Sequence, residues 1–257
     1  MGDMFRLDGQ VCVVIGGAGS IGGAVSLGFT QQGAKVAIAS RDLQKLQEVA
    51  KKIRGETGSE VAVFQVDVTD EQSVVRLVEQ VVSKFGTIDV LATCHGTGFP
   101  KEPADKFPLG GWNTLMDLNV TGTMLCCREF GKVMIKNKKG RIINLSSVRG
   151  ARATLWGGNL GYCASKGAVD MLTRALASEW AQYNVLVNAV APSLVATPQV
   201  IATRTPEQNA RYFANVPLKR HADPSEATGP FIFLASQASS FITGQILYLD
   251  GGLTAIG

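Results

Sequence analysis

The sequence predicts an α/β fold in which a single doubly wound parallel sheet carries helices on both faces. Two observations lead there. Short apolar runs alternate with longer amphipathic segments from end to end, and most of the runs are apolar almost throughout, as expected of strands covered on both faces. Strand–helix–strand units repeated in this way make successive strands parallel. Bulk composition allows the core that such a sheet needs. Of 257 residues, 46% are hydrophobic and 18% charged, which excludes disordered, collagen-like, coiled-coil and disulfide-scaffold classes. No repeat, low-complexity tract or Pro/Gly/Ser linker interrupts the alternation, so residues 1–257 read as one domain.

In chain order, the strand-length runs are 11–15, 35–39, 61–66, 90–93, 141–145, 185–190 and 246–249. The helix-like segments are 21–31, 43–53, 71–84, 112–136, 162–182 and 224–235. Asp42, Asp70 and Asp223 stand where N-caps belong, immediately before three of them. The basic run Lys136-Asn137-Lys138-Lys139-Gly140-Arg141 falls at a helix end, where cations complement the dipole and Gly140 can serve the C-terminal turn.

Several function classes are excluded. A net charge of +4 is too mild for a nucleic-acid partner. No apolar run reaches the roughly 20 residues that span a bilayer, and residues 1–10 lack the apolar stretch of a signal peptide. The expectation is a cytoplasmic protein without a membrane partner. Cys12, Cys94, Cys126, Cys127 and Cys163 share no metal-type spacing and have only His95 and His221 beside them, so no metal site is expected.

The first chemical motif is Gly16-Gly17-Ala18-Gly19-Ser20-Ile21-Gly22-Gly23, between the first strand and the first helix. Glycines are wanted there because the chain must turn sharply and approach a pyrophosphate, at which the new helix aims its free N–H groups. The position of Gly17-x-Gly19-x-x-Gly22 makes the sheet Rossmann-type. Ser40 and Arg41 close the second strand, where an acidic residue would bind a ribose 2′-hydroxyl. A hydroxyl and a guanidinium suit a 2′-phosphate, which points to NADP(H), with NAD(H) possible. The alternative for Arg41 is a solvated loop side chain.

Tyr162 and Lys166 lie four apart, hence on one face of a helix. A phenol is a poor base at neutral pH unless its phenolate is stabilised, and a neighbouring ammonium does that. Ser146 and Ser147 follow a strand into the crevice where ligands bind in such sheets.

Taken together, the glycine-rich turn, Asp67-Val68, Asn119-Val120-x-Gly122, Ser147, Tyr162-x-x-x-Lys166, Asn188 and Asp250-Gly251-Gly252 resemble, in order and spacing, the short-chain dehydrogenase/reductase family. The resemblance covers essentially the whole chain. It implies an NAD(P)-dependent oxidoreductase transferring a hydride between a nicotinamide and a carbonyl or secondary alcohol. Tyr162 is then the general acid/base, Lys166 lowers its pKa and binds the nicotinamide ribose, Ser147 orients the carbonyl, and Asn119 holds a water linking Lys166 to solvent. Ser147 is preferred to Ser146 because Val148-Arg149-Gly150 follows it. The implied cofactor contacts are Gly16, Gly19, Ser20, Ile21, Gly22, Ser40, Arg41, Asp67, Val68, Gly96, Tyr162, Lys166, Pro192, Val195 and Thr197. The chain departs from the family pattern at Ile15, Ser20, Thr93-Cys94-His95 and Ser193, all bordering the cofactor rather than the reacting atoms.

Residues 195–218 correspond to a substrate lid, and the loop 149–161 should wall the pocket. Arg149, Arg152, Trp156 and Asn159 make that wall polar and partly cationic, suiting a small polyol, sugar or sugar acid. A 3-oxoacyl-carrier-protein reductase is the alternative within the family, and a non-catalytic nucleotide-binding regulator the alternative outside it. The family also implies a homotetramer, or a homodimer, through the long helices at 112–136 and 162–182.

Overall fold

The structure is a computed structural model, and it describes residues 4–154 and 157–256. Seven strands form one parallel sheet: β1 (Val11–Ile15), β2 (Lys35–Ser40), β3 (Ala62–Gln65), β4 (Val90–Thr93), β5 (Gly140–Leu145), β6 (Val185–Pro192) and β7 (Ile246–Leu249). Their spatial order is β3-β2-β1-β4-β5-β6-β7. The winding therefore reverses between β1 and β4, which opens a crevice at their carboxyl ends.

Every strand anticipated from the apolar runs is present. Strand β1 explains why the runs are apolar throughout: Val11, Val13 and Ile15 enter one core and Cys12 and Val14 the other. The first core lies under α3 (Glu71–Phe85), α5 (Gly122–Asn137) and α6 (Leu160–Trp180), with Leu77, Phe130 and Trp180 packed on Leu91, Ile142 and Val187. The second lies under α1 (Ser20–Gln31), α2 (Leu43–Thr57) and α9 (Thr228–Ala235), with Phe29, Leu46 and Phe231 on Val36, Ile38 and Ile143. Burying a large apolar side chain fully is worth about 1.5–3 kcal/mol, so these two layers fix the strand register.

Asp42 accepts from Lys45 N (3.0 Å) and Asp70 from Gln72 N (2.9 Å). Asp223 forms a reciprocal capping box with Glu226 before α9. Three expectations need correction. The segment 112–136 is not one regular helix: α4 (Leu109–Met116) is joined to α5 by a π-helical turn, Asp117–Thr121. The cause is Asn119, whose amide is held by both backbone groups of Thr97 rather than left on the helix surface. The turn ending α5 is made by Lys138, at φ 50°, and not by Gly140, which begins β5. Gly140 is required instead by packing, since a Cβ there would lie 2.5 Å from the Met134 side chain. Finally, residues 195–218 are not a plain loop. They contain α7 (Pro198–Thr203) and α8 (Pro206–Ala214), each opened by a Thr cap followed by Pro.

Candidate active site

The crevice at β1 is shaped by close backbone approach. Gly16 sits at φ +78°, and a Cβ on it would meet Cys94 C and His95 N at 2.7 Å. A Cβ on Gly22 would fall 2.3 Å from Gly16 O. Helix α1 begins at Ser20, and its N-cap, Gly19, offers no side chain to its first N–H groups. Gly19, Ser20, Ile21 and Gly22 line the cleft. This is a cradle suited to a pyrophosphate, and the residues present fit a dinucleotide. Ser20, a departure from the family pattern, opens the helix without closing that cradle.

At the neighbouring strand ends, Ser40 Oγ donates to Asp42 O (3.4 Å) and Arg41 O accepts from Gln65 Nε2 (3.0 Å). Asp67 accepts from Thr69 N (3.0 Å) and Oγ1 (2.7 Å). These bonds, aided by the Arg41 charge, hold its carboxyl below the usual range. Val68 is buried against Gly122, where a Cβ would come within 2.8 Å of it.

The catalytic candidates converge between β5 and α6. Ser146 Oγ donates to Asp170 Oδ1 (2.5 Å) and is committed there, whereas Ser147 Oγ lies at the cleft, 3.3 Å from Pro192 O. Lys166 is buried, donates to Leu145 O (2.7 Å), and has Nζ 5.9 Å from the centre of the Tyr162 ring. Burial pulls its pKa down to about 8, against the Asp170 carboxylate, which raises it. Burial pushes the Tyr162 phenol up, while a hydrogen bond with Ser147 and the charge of Arg149 pull it down. The local groups opposing the rise are therefore Ser147 and Arg149, because the ammonium of Lys166 is turned to Leu145 O. Asn119 donates from Nδ2 to Thr97 O (2.9 Å) and Ser165 Oγ (3.0 Å), so its side chain is fixed one layer behind Lys166.

Behind these groups a buried network ties strand to helix. Thr93 Oγ1 donates to Asn144 Oδ1 (2.9 Å), and Asn144 Nδ2 donates to Thr173 Oγ1 (3.0 Å). Thr93, another departure from the family pattern, thus still bonds across the central strands. Thr123 Oγ1 donates to Asn119 O (2.8 Å), so the 3.3 Å contact to His95 Nε2 makes that nitrogen the donor. His95 Nδ1 is buried with no partner, and burial together with Lys166 drives the imidazole to about 3. His95 is neutral.

All of this opens on a cleft of about 540 Å³. Gly96, Ser147, Tyr162, Lys166, Pro192, Val195 and Thr197 line it, as do Arg149 and Asn159. Gly16, Ser40, Arg41, Asp67, Val68 and Asn119 flank or support it rather than line it. Arg152 is placed elsewhere: Nη1 donates to the backbone oxygens of Leu253 and Ile256, so it secures the C-terminal segment instead of facing a substrate. Trp156 lies outside the described residues. Sequence reasoning missed Lys101, Gln199, Thr203, Arg204 and Tyr212, all of which line the cleft. The Thr-Pro pairs at 197–198 and 205–206 were the available signal for the helices that carry most of them. Among the described residues, no group of three or more His, Cys, Asp or Glu side chains could hold a metal, and no helix is long and apolar enough to cross a membrane.

A reversed-winding sheet, a glycine cradle at its first turn, and Ser, Tyr and Lys at the next crevice wall define a dinucleotide-dependent oxidoreductase fold. The chain belongs to the short-chain dehydrogenase/reductase family and is an oxidoreductase acting on CH–OH groups with a nicotinamide cofactor. A family model described as enoyl-(acyl carrier protein) reductase matches residues 16–254. The chain is 38% identical over 254 residues to glucose 1-dehydrogenase of Gluconobacter oxydans (strain 621H), covering 98% of this chain and 94% of that one. It is 35% identical over 250 residues to the 3-oxoacyl-[acyl-carrier-protein] reductase of Thermotoga maritima, covering 96% and 99%. Among solved structures, a gluconate 5-dehydrogenase from Burkholderia cenocepacia J2315, in complex with NADP and tartrate, superposes with a TM-score of 0.94 at 32% identity, covering 99% of both chains.

Proposed function

We propose that this chain interconverts a secondary alcohol and a ketone on a small polyhydroxylated compound (a polyol, sugar or sugar acid), with Tyr162 exchanging the proton. The observation that carries the reading is the convergence of Ser147, Tyr162 and Lys166 on one cleft that continues to the Gly16–Gly22 cradle. The nicotinamide would accept or supply the hydride at that junction. Ser147 holds the substrate oxygen, and Tyr162 takes its proton during oxidation or returns one during reduction. Lys166 and Arg149 bias the phenol toward the phenolate. Asn119, braced by Thr97 and Ser165, positions the π-helical turn behind Lys166.

Tyr162→Phe tests this directly: with a dicarbonyl or polyol panel, kcat should fall about 10²–10⁴-fold with the cofactor Kd unchanged. Equal rates would remove Tyr162 from the chemistry and favour the non-catalytic regulator. The relatives named above act on a sugar or an acyl thioester, so the same panel includes a 3-oxoacyl thioester. A preference for it would replace the polyol reading with the acyl-reductase one.

Support for NADP(H) over NAD(H) comes from Ser40 and Arg41 at the end of β2, with no acidic side chain at either position. Assembly as a homotetramer, or a homodimer, is proposed from the family and from exposed apolar side chains such as Leu109 and Met171; light scattering showing a monomer would retire it. A cytoplasmic location is proposed on the same family grounds, and a fluorescent fusion localised elsewhere would overturn it.

A further inference from the structure

Four cations line the cleft, and no Asp or Glu is among its described lining residues. Lys166 belongs to the catalytic wall. The other three come from separate segments: Lys101 from the loop after β4, Arg149 from the turn after Ser147, and Arg204 from the end of α7. They lie near one another, since the charges of Arg204 and Arg149 both reach Lys101 and help burial hold its ammonium below the usual range. Burial lowers Arg149 and Arg204 as well.

Their partners are neutral. Arg149 Nη1 donates to Ala153 O (2.8 Å), and Arg204 donates to Asn209 Oδ1 (2.9 Å) and Gln208 O (2.8 Å). Lys101 lies 5.3 Å from the centre of the Phe99 ring. None of the ion pairs among the described residues involves these three side chains. Like charges drawn partly out of water repel one another, and a bound anion relieves both costs. A neutral polyol relieves neither.

We propose that the compound taken by this cleft carries a carboxylate, held by Lys101, Arg149 and Arg204 while its hydroxyl or keto carbon lies at Ser147 and Tyr162. This rests on the oxidoreductase reading and narrows it from polyhydroxylated compounds in general to hydroxy or keto acids. Arg204 stands at the end of the first lid helix, so the carboxylate also draws the lid onto the catalytic wall.

Tartrate and threitol share a four-carbon dihydroxy skeleton and differ in carboxylate against hydroxymethyl ends, which makes them the probes. Titration calorimetry uses the full chain saturated with whichever of NADP+ or NAD+ binds more tightly, so that the cofactor's own phosphate sites are filled. Tartrate should bind at least about tenfold more tightly than threitol. That preference should shrink as ionic strength rises, and it should collapse in Lys101→Gln and Arg204→Gln but survive in Lys101→Arg and Arg204→Lys. A smaller preference, or one that persists in both Gln variants, overturns the proposal. The salt series needs no variant, so a misfolded mutant does not leave the matter open. Tartrate binding without turnover of any alcohol or ketone would sink the oxidoreductase reading alone, whereas turnover with equal affinity for both probes would sink this one alone.

Discussion

The two walls of the cleft are built differently. The catalytic wall, β5 and α6, is continuous with the main core, and its polar groups are satisfied in depth: Ser146 by Asp170, Lys166 by Leu145 O, Asn144 by Thr93 and Thr173. The lid wall, α7 and α8, rests on a small separate cluster of Val148, Tyr212, Val216 and Leu253. One hydrogen bond from Leu194 N to the Tyr212 hydroxyl (3.1 Å) ties it to the chain beyond β6. His221 packs between the rings of Tyr212 and Phe213 at 5.6 and 4.9 Å, with its buried Nε2 unpartnered. Proton transfer needs atoms fixed to fractions of an ångström, so it is placed where the fold is most over-determined. Admission of substrate needs movement, and it is given to the elements with the fewest ties.

Substitutions can test that contrast. The largest effect on activity is the loss expected of Tyr162→Phe. On stability, Gly22→Ala should rank high: its new methyl meets the backbone oxygen of Gly16, which cannot yield as a side chain could. We expect destabilisation of about 1–3 kcal/mol with loss of cofactor binding, read by denaturant titration and calorimetry. Asn144→Leu removes a partner from the buried Thr93 and Thr173 hydroxyls. At about 1–3 kcal/mol per stranded group, it should lower Tm clearly. Tyr212→Phe should cost at most about 1.5 kcal/mol and alter KM more than kcat. Were it to lower Tm as much as Asn144→Leu, the two walls would not differ in the way described.

His95 provides a pH-dependent version of the same test. Its pKa falls from 6.5 to about 3 in the fold, so across that interval the unfolded chain binds the extra proton and stability drops as pH falls. His95→Gln should flatten the acid limb of the stability curve between pH 6.5 and about 3, removing a slope of about 1.4 kcal/mol per pH unit. The smallest effect is expected outside both walls. Arg41→Ala should reduce any preference for NADPH over NADH by about tenfold, as measured by the two Kd values, with little change in Tm.

The fold was legible because buried parallel strands must be apolar on both faces, and the runs at 11–15, 90–93 and 185–190 announce themselves. Asp42 and Asp70 were legible because an N-cap is a local bargain between a side chain and the next turn. Along the catalytic wall, spacing alone put Tyr162 above Lys166. What could not be read were meetings between distant segments. Lys101 and Arg204 stand more than a hundred positions apart in the sequence, and neither belongs to a pattern that signals a cleft. Arg152 misled for the same reason: beside Arg149 in the chain, it turns to the carbonyls of Leu253 and Ile256. The π-helical turn was missed because its cause is the Thr97 backbone, far from Asn119 in sequence.

That turn has a consequence for insertions and deletions. An α-helix advances about 100° per residue, so the wide turn at Asp117–Thr121 accommodates one more residue than a regular helix needs. Deleting a residue there would mend the helical ladder and yet rotate everything upstream of it by about a quarter-turn relative to α5. Leu115, fully buried now, would leave its socket. Length changes that are harmless in the surface loop 55–60 should therefore be lethal in this helix, even though the shortened helix would be the more regular of the two.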